Sequence, residues 1–417
     1  MIRKVRVENY KSIPDLTLDL GRVTVLIGAN GSGKSNILEA IALASAAAQN
    51  KLDNEFLVSR GIRVTETRFM RSAFDKGYTP PEPQDLAIEN GNETPNKNAH
   101  SHCESIKVWI HGDDEVEFDC ELVADEKASY PKWAQTPNSL VRQFFGREFL
   151  ARIEAEKLEP GTPATPEILE RLVSHYNQIE KIILSQQESG KLPGFSGTLR
   201  GFLVYAPENS SLRTFQAEGQ ILPLGIRGEG LFAHLKELNS GAHQQRLVRI
   251  QEKLGLIDWF DNFVIPEDLS LGERSIRIRD RFLPDRALFD QRSANEGFLF
   301  LLFYLTLFIS PDTPAFFSID NIDSSLNPKL CIALLQQLVL LAKEYDKQVI
   351  LTTHNPAVLD GLNLQDDEQR LLVVDRNKDG YTRVRRVDPP KPSAGQIPVS
   401  LSEAFMRGYI GGLPKNF

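Results

Sequence analysis

Cysteine is scarce in this chain. Only Cys103, Cys120 and Cys331 occur among 417 residues, they lie far apart, and no CxxC pair is present. This pattern excludes a disulfide framework and a zinc module built on paired cysteines. Isolated thiols are typical of a reducing compartment, and we therefore expect a cytoplasmic protein.

Long apolar segments are missing as well. The most apolar stretch, residues 297–309, is shorter than the roughly 18–20 residues that cross a bilayer. The first residues of the chain also lack the apolar region of a signal peptide. We therefore expect no membrane partner, and we predict that residues 297–309 form a buried helix.

The chain has no excess of positive charge. It carries 48 Lys and Arg against 56 Asp and Glu, a net charge of −8. This balance excludes a uniformly cationic nucleic-acid binder, although it leaves room for a local basic patch. Hydrophobic residues make up 41% and charged residues 25%, which are ordinary values for a globular protein.

Apolar patterning predicts an α/β fold. A continuous apolar run at 22–27 is suited to a buried central strand, and a glycine-rich loop and a helical pattern follow it. Further along, predicted helices at 297–309 and 328–345 alternate with predicted strands at 314–320 and 348–354. This order implies parallel strands joined by helical crossovers.

The middle and the end of the chain have patterns that predict two β-hairpins and a pair of helices. Residues 104–123 predict a β-hairpin around Gly112, and residues 371–387 predict a second hairpin. Residues 138–190 have a helical pattern with a proline-rich break, which predicts two helices joined by a turn.

The glycine-rich loop matches the pattern GxxxxGK[ST] in full. Backbone N–H groups of such a loop, with the N-terminus of the following helix, bind phosphates. The lysine reaches the β- and γ-phosphates and the serine binds Mg²⁺, so the predicted cofactors are ATP and Mg²⁺. The predicted nucleotide-binding residues are Gly28, Asn30, Gly31, Ser32, Gly33, Lys34, Ser35 and Asn36.

A second apolar run ends at Asp320, which we predict to bind Mg²⁺ through water together with Ser35. The next residue, Asn321, can orient a water molecule but cannot accept its proton. Asp323 lies two residues on, on the same face if the strand continues, which would place it roughly 6–7 Å further along. Asn321 and Asp323 are therefore predicted catalytic residues. The family resemblance given below adds His354, which ends the strand at 348–354.

A third segment, SANEG at 293–297, precedes the long apolar helix. Small polar residues and a glycine at a helix N-terminus suit a phosphate, and the family resemblance given below implies that Ser293, Asn295 and Gly297 bind nucleotide. We reject LSLGE at 269–273 for this role, because a predicted strand follows it rather than a helix.

These segments together resemble an ABC-type head of the OLD/RecF/SMC-related AAA ATPases. The residues that carry the resemblance are VENYKSI, GANGSGKSNILEAI, SANEG, AFFSIDNIDSSLNP and VILTTHNPAVLD. The resemblance implies a P-loop NTPase fold with a mixed sheet, helical crossovers and a mainly helical insertion. It also implies four parts, namely 1–75 (first part of the head), 76–265 (insertion), 266–375 (second part of the head) and 376–417 (hairpin and tail).

The resemblance further implies a head-to-head dimer, or a higher even oligomer, that forms around nucleotide. SSLNP at 324–328 would be the D-loop at the dimer interface, SANEG the signature that contacts the partner's nucleotide, and His354 the switch histidine on the γ-phosphate. In such heads a glutamate follows the Asp320 position. Because Asn321 stands there, either hydrolysis is slow or partner-triggered, or Asn321 is a tolerated variant in a working site.

Members of this group act in DNA repair or in bacterial anti-phage defence. The residues after His354 are too few for the TOPRIM nuclease domain of OLD-type nucleases, so we expect a sensor or scaffold ATPase with a separate effector protein, such as a nuclease or toxin. The alternative is a repair ATPase that binds DNA directly, through arginine clusters at 60–71, 274–292 and 376–391. A third, less favoured hypothesis is the ATPase subunit of a membrane transporter, because SANEG matches the ABC signature of such subunits poorly.

Overall fold

The protein is described from a computed structural model. The structure describes residues 1–72, 74, 105–113, 117–125, 132–136, 139, 197–215, 217–240, 243–266, 276–284, 287–389 and 399–413. The predicted helical pair at 138–190, apart from residue 139, and the LSLGE segment at 269–273 lie outside the described residues.

Fourteen strands form three sheets in this part of the chain. They are β1 (Ile2–Tyr10), β2 (Ile13–Asp19), β3 (Val23–Ile27), β4 (Ser105–Gly112), β5 (Glu117–Asp125), β6 (Lys132–Gln135), β7 (Val204–Tyr205), β8 (Phe260–Val264), β9 (Arg277–Asp280), β10 (Leu288–Phe289), β11 (Phe316–Ile319), β12 (Gln348–Thr353), β13 (Gln369–Arg376) and β14 (Thr382–Arg386).

Helices cover the sheets. They are α1 (Lys34–Ala47), α2 (Asn54–Ser59), α3 (Thr67–Met70), α4 (Gly197–Arg200), α5 (Asn209–Leu212), α6 (Leu231–Asn239), α7 (Gln244–Leu254), α8 (Glu296–Ile309), α9 (Pro328–Glu344) and α10 (Leu401–Met406), and a 3₁₀ helix spans Pro356–Gly361.

The central sheet has six strands in the order β14-β13-β3-β12-β11-β7. All neighbours are parallel except the terminal pair, in which β14 runs antiparallel to β13. The order requires crossovers, and α9 connects β11 to β12. The predicted α/β fold with a mixed sheet and helical crossovers is therefore confirmed.

Both faces of the central sheet are buried, which explains the continuous apolar run of β3. Val23, Val25 and Ile27 contribute to the core on one face, which contains α8 and α9. Leu26 lies in a second core on the other face, against α1 and the inner side of a five-stranded sheet. A strand covered on both faces needs apolar residues at every position rather than at alternate ones.

The long apolar helix is α8, and every residue from Gly297 to Ile309 is buried. A helix that is apolar all round must be enclosed by protein when it is too short for a bilayer. Asn295 begins it, since its side chain accepts a hydrogen bond from the Phe298 N–H at 3.4 Å. The prediction of a buried helix is confirmed, and none of the described helices is long and apolar enough to cross a membrane.

The five-stranded sheet is antiparallel, in the order β2-β1-β4-β5-β6. Its β4–β5 pair is the hairpin predicted around Gly112, and β4 also pairs with β1 from the start of the chain. A separate three-stranded sheet, β10-β9-β8, lies just before α8 in sequence.

Strand pairings cross the predicted division at 1–75, 76–265, 266–375 and 376–417, which stays a prediction. The described part of 76–265 supplies β4, β5 and β6 to the sheet of β1, and β7 to the central sheet. The boundary expected after residue 375 falls inside β13, which is paired with β3. Shared strands make these parts continuous, because backbone hydrogen bonds and cores cross each expected boundary.

Candidate functional site

The glycine-rich loop connects β3 to α1 at the carboxyl edge of the central sheet. Gly31 and Gly33 have left-handed backbone angles, with φ of 73° and 109°, which favour glycine. A Cβ atom on Gly28 would lie 2.0 Å from the Val374 carbonyl oxygen, and one on Gly33 would lie 2.1 Å from the Thr382 hydroxyl. The loop therefore fits only because glycine stands where β13 and β14 approach.

Lys34 lies at the start of α1 and is buried. Its Nζ donates to the carbonyl oxygens of Gly28 and Ala29 at 2.8 and 3.1 Å. Burial lowers the pKa of Lys34 to about 8, although the charges of Asp320 and Asp323 act in the opposite direction. The ammonium group is thus held inside the loop, next to two carboxylates.

Ser35 and Asp320 meet across the edge of the sheet. The Ser35 hydroxyl donates to Asp320 Oδ2 at 3.0 Å, and the Thr352 hydroxyl donates to Asp320 Oδ1. A hydroxyl and a carboxylate oxygen are hard ligands of the kind that Mg²⁺ prefers. These two residues are far apart in sequence, and the structure brings them together as a donor set that fits Mg²⁺.

The backbone after Asp320 departs from the expected strand. β11 ends at Ile319, Asn321 has a left-handed φ of 56°, and the Ile322 N–H donates to the Thr352 carbonyl at 3.0 Å. The expectation that Asp323 lies further along the same strand is therefore wrong. The turn at Asn321 returns Asp323 to the end of β12, where Asp323 Oδ1 accepts from the Thr353 hydroxyl at 2.6 Å.

His354 follows β12 and joins this group. Its backbone N–H donates to Asp323 Oδ1 at 3.3 Å. Partial burial of the ring, and then the charge of Lys34, lower the pKa of His354, while Asp323, Asp320 and the Gly28 carbonyl oppose the shift. Lys34, Asp320, Asp323 and His354 thus form one electrostatically coupled cluster at the carboxyl edge of the sheet.

The SANEG residues are not part of this cluster and contact a different segment of the chain. Ser293 and Asn295 are exposed, whereas Gly297 is buried. A Cβ atom on Gly297 would lie 3.3 Å from the Ser325 carbonyl oxygen, and the Ser325 hydroxyl donates to Glu296 Oε2 at 3.0 Å. The start of α8 therefore contacts the SSLNP segment, and no hydrogen bond within the described residues joins it to the glycine-rich loop of its own chain.

A chain of polar side chains beside α1 was not found by sequence reasoning. The Arg63 guanidinium donates to Asn36 Oδ1 at 3.1 Å, and Asn36 Nδ2 donates to Ser12 Oγ at 2.7 Å. Ser12 Oγ lies 2.7 Å from Thr382 Oγ1, which donates to the Ser32 carbonyl at 3.0 Å. Ser12 was visible in the YKSI segment, but no local signal marks Thr382, because it reaches the loop only through sheet pairing.

Glu39 is a buried carboxylate on α1, one turn after Ser35. Lys11 Nζ and Arg63 Nε both donate to it, and the Tyr10 hydroxyl donates at 3.1 Å. Burial lowers the pKa of Lys11, and the charge of Glu39 opposes this shift. Two cations paired with one buried anion hold the first turns of α1 against β1 and β2.

Most described arginines of the three clusters have partners within the protein. Arg60 donates to the carbonyl oxygens of Arg200 and Phe202 at 3.1 and 3.2 Å. The other pairs are Arg63 with Glu39, Arg68 with Glu66, Arg279 with Asp261, Arg281 with the Phe260 carbonyl, Arg376 with the Gly31 carbonyl, Arg383 with Asp375, Arg385 with the Ile410 carbonyl, and Arg386 with Asp367. Arg274, Arg286 and Lys391 lie outside the described residues.

Comparison with solved structures finds several SMC heads. "SMC head domain from Thermotoga maritima" is 15% identical, with a TM-score of 0.45, and the match covers 93% of this chain and 99% of that one. "SmcHead bound to the C-winged helix domain of ScpA" is 13% identical, with a TM-score of 0.49 and coverages of 93% and 97%. A Pyrococcus furiosus Smc head with an extended coiled coil is 13% identical, with a TM-score of 0.43 and coverages of 93% and 96%.

Comparison with curated proteins finds no match. A family model does match, over residues 23–360, and its description is "AAA domain, putative AbiEii toxin, Type IV TA system". The matched range includes the glycine-rich loop, Asp320 and His354, and it covers most of the chain. The α/β sheet described above, with the loop between β3 and α1, is the P-loop ATPase fold that this family implies. The chain therefore belongs to this family of AAA-domain P-loop ATPases.

Proposed function

We propose that the protein is a cytoplasmic ATPase that binds ATP and Mg²⁺ between β3, β11 and β12. The observation that carries the proposal is the hydrogen bond of 3.0 Å between Ser35 and Asp320, beside the buried ammonium group of Lys34. Lys34 would move from the Gly28 and Ala29 carbonyls to the phosphates, because charged phosphate oxygens are the stronger acceptors. Ser35 and Asp320 would hold Mg²⁺.

The experiment is ATP binding by the Lys34→Ala variant, measured by calorimetry. Loss of the ammonium group should abolish detectable binding, whereas Lys236→Ala, an exposed lysine on α6, should bind like the wild type. ATP binding that survives in Lys34→Ala would show that the nucleotide site has been assigned wrongly.

We propose that Asp323 is the general base for hydrolysis, in place of the glutamate that Asn321 replaces. It lies beside His354 and interacts electrostatically with Lys34, so it faces the side on which a γ-phosphate would bind. Because the chain turns at Asn321, Asp323 does not occupy the position of the usual glutamate. Turnover should therefore be slow or should need a trigger.

Asp323→Asn should lower turnover by roughly tenfold or more, because an amide cannot take the proton, while ATP affinity stays the same. Asn321→Gly, which keeps the left-handed backbone at this turn, is the matched control and should lower turnover much less. A wild-type turnover within the ~1–10³ s⁻¹ that is usual for enzymes would contradict slow hydrolysis, and an active Asp323→Asn variant would remove Asp323 from the mechanism.

We also propose that the protein dimerises head to head around nucleotide, or forms a higher even oligomer. The exposed start of α8, with Ser293 and Asn295, contacts the SSLNP segment and not its own glycine-rich loop, so these residues are free to meet a partner's nucleotide. The closed dimer would then be a state that ATP populates and hydrolysis removes.

Such a nucleotide-dependent scaffold fits a role in anti-phage defence with a separate effector, a nuclease or a toxin. The matched family's description names a toxin–antitoxin system, which is consistent with that role. Direct DNA binding is the weaker candidate, because most described arginines of the three clusters are already paired. Salt-dependent binding of duplex DNA by the purified protein would favour direct DNA binding over the role as a defence scaffold.

A further inference from the structure

Two consecutive threonines end β12, and each one holds one of the two site carboxylates. Thr352 and Thr353 are fully buried, with side chains 0% exposed. The Thr352 hydroxyl donates to Asp320 Oδ1 and the Thr353 hydroxyl donates to Asp323 Oδ1. Neither threonine was singled out by its sequence pattern.

Consecutive strand residues point to opposite faces of a sheet, so one strand end can hold carboxylates on two sides. The turn at Asn321 makes this arrangement work. It leaves Asp320 on one side of β12 and returns Asp323 to the other, with the Ile322 N–H bonded to the Thr352 carbonyl at 3.0 Å.

Each hydroxyl has its direction fixed by a backbone donor. Thr352 Oγ1 accepts from the Asn321 N–H at 2.9 Å, and Thr353 Oγ1 accepts from the Asn355 N–H at 3.0 Å. A hydroxyl carries a single proton. The Thr353 hydroxyl also lies 3.3 Å from the Asn355 carbonyl oxygen, but Asp323 Oδ1 at 2.6 Å is the closer acceptor and is charged. The proton of each threonine is therefore directed to its carboxylate. Two rigid donors therefore set the orientation of Asp320 and Asp323.

The two carboxylates differ in what their second oxygen, Oδ2, accepts. Asp320 Oδ2 accepts from Ser35 at 3.0 Å and faces the loop. On Asp323, Oδ1 accepts from both Thr353 and the His354 N–H, whereas Oδ2 accepts no hydrogen bond from the described residues. Asp323 Oδ2 is therefore the oxygen available to a water molecule.

We infer that Thr352 and Thr353 are positioning residues with separable roles. Thr352 orients Asp320 for Mg²⁺, and Thr353 orients Asp323 toward the attacking water. This inference rests on the proposed roles of Asp320 and Asp323, and it goes beyond them by assigning metal affinity and turnover to different hydroxyls of the same strand.

The test replaces each threonine with valine, which keeps the shape and removes the hydroxyl. Loss of a hydrogen bond to a charged group corresponds to a change of roughly 10-fold or more in the binding constant or rate that depends on that group. Thr352→Val should raise the Mg²⁺ concentration for half-maximal ATP binding by about that factor. Thr353→Val should lower the single-turnover rate by about that factor and leave the Mg²⁺ requirement unchanged.

Two controls separate positioning from general destabilisation. Thr352→Ser and Thr353→Ser keep the hydroxyl and should restore each property. Thr306→Val removes another fully buried hydroxyl, which donates only to the Leu302 carbonyl at 2.7 Å on α8, and it should change neither property.

The inference is overturned if both valine variants alter the same property, if either one behaves like Thr306→Val, or if the serine variants fail to restore function. It is also overturned for Thr353 if the wild type shows no single-turnover hydrolysis. Failure of the proposed function looks different, because the wild type itself would then bind no ATP in the presence of Mg²⁺.

Discussion

At the scale of single residues, burial decides how the site responds to pH. The Lys34 pKa falls from 10.5 to about 8 because the ammonium group is buried in the loop. A bound phosphate needs the charged form, and the charged fraction falls from about 0.9 at pH 7 to about 0.1 at pH 9 for such a pKa. The proposed ATP binding would therefore be linked to protonation of Lys34.

We expect ATP affinity to fall by roughly tenfold between pH 7 and pH 9. Stability should change in the opposite direction: above pH 8 the unfolded chain holds the Lys34 proton that the folded protein has released, so this group's contribution to the free energy of unfolding rises with pH. Calorimetric titration across this range measures the first effect. Lys34→Arg stays charged, so an equal loss of affinity in that variant would contradict the role of Lys34.

A second prediction concerns Tyr304 on α8, whose hydroxyl is fully buried and has no hydrogen-bond partner among the described residues. An unpaired buried hydroxyl costs free energy, so Tyr304→Phe should raise the free energy of unfolding by about 1 kcal/mol. Denaturant unfolding gives this value. Tyr10→Phe is the matched control, since it removes a hydroxyl that donates to Glu39 at 3.1 Å, and it should destabilise the protein. Loss of stability in Tyr304→Phe would show that this hydroxyl has a partner.

At the scale of elements, the β13–β14 hairpin braces the glycine-rich loop. Arg376 donates to the Gly31 carbonyl at 2.7 Å, and Thr382 donates to the Ser32 carbonyl at 3.0 Å. The loop is therefore shaped from outside by a hairpin that lies far away in sequence. Its backbone N–H groups are held in place before any phosphate binds, which lowers the ordering cost of binding.

Thr382→Val should weaken ATP binding roughly 3- to 10-fold, because the one hydrogen bond to the loop is lost, which contributes about 1 kcal/mol. The measurement is the ATP dissociation constant, with the thermal midpoint recorded in parallel. Thr382→Ser retains the hydroxyl and should stay close to the wild type. Unchanged affinity in Thr382→Val would mean that the hairpin does not position the loop.

Element prediction succeeded where the signal was local. α8, α9 and the β3–loop–α1 unit were predicted from apolar periodicity and glycine placement, and the structure contains them. The position of Asp323 was predicted wrongly, because a strand pattern carries no sign of the left-handed turn at Asn321. Asparagine tolerates that conformation better than most residues, but it does not demand it.

At the scale of the whole molecule, the proposed dimer makes a prediction of its own. Ser293→Arg places a bulky cation on the exposed start of α8, so it should prevent ATP-dependent dimerisation and leave ATP binding by the monomer intact. Light scattering with ATP and Mg²⁺ measures the mass. Gln365→Arg, at an exposed position in the loop that precedes β13, is the control and should dimerise. A Ser293→Arg variant that still dimerises would place the interface elsewhere.

The sequence by itself determined the local chemistry of this protein. Gly28, Gly33, Lys34 and Ser35 specify a phosphate-binding loop wherever a strand precedes and a helix follows, because backbone angles and side-chain reach are short-range properties. The apolar run of α8 likewise required a buried helix.

Only the tertiary structure decided which distant residues complete the site. Asp320 reaches Ser35 and Thr353 reaches Asp323 because parallel strands end at one edge of the same sheet. Thr382 reaches the loop because it begins the antiparallel strand β14 at that edge. The register between strands depends on the packing of both faces of the sheet, and no single segment contains that information. Local sequence therefore predicted the phosphate site, whereas sheet pairing decided how its carboxylates are held.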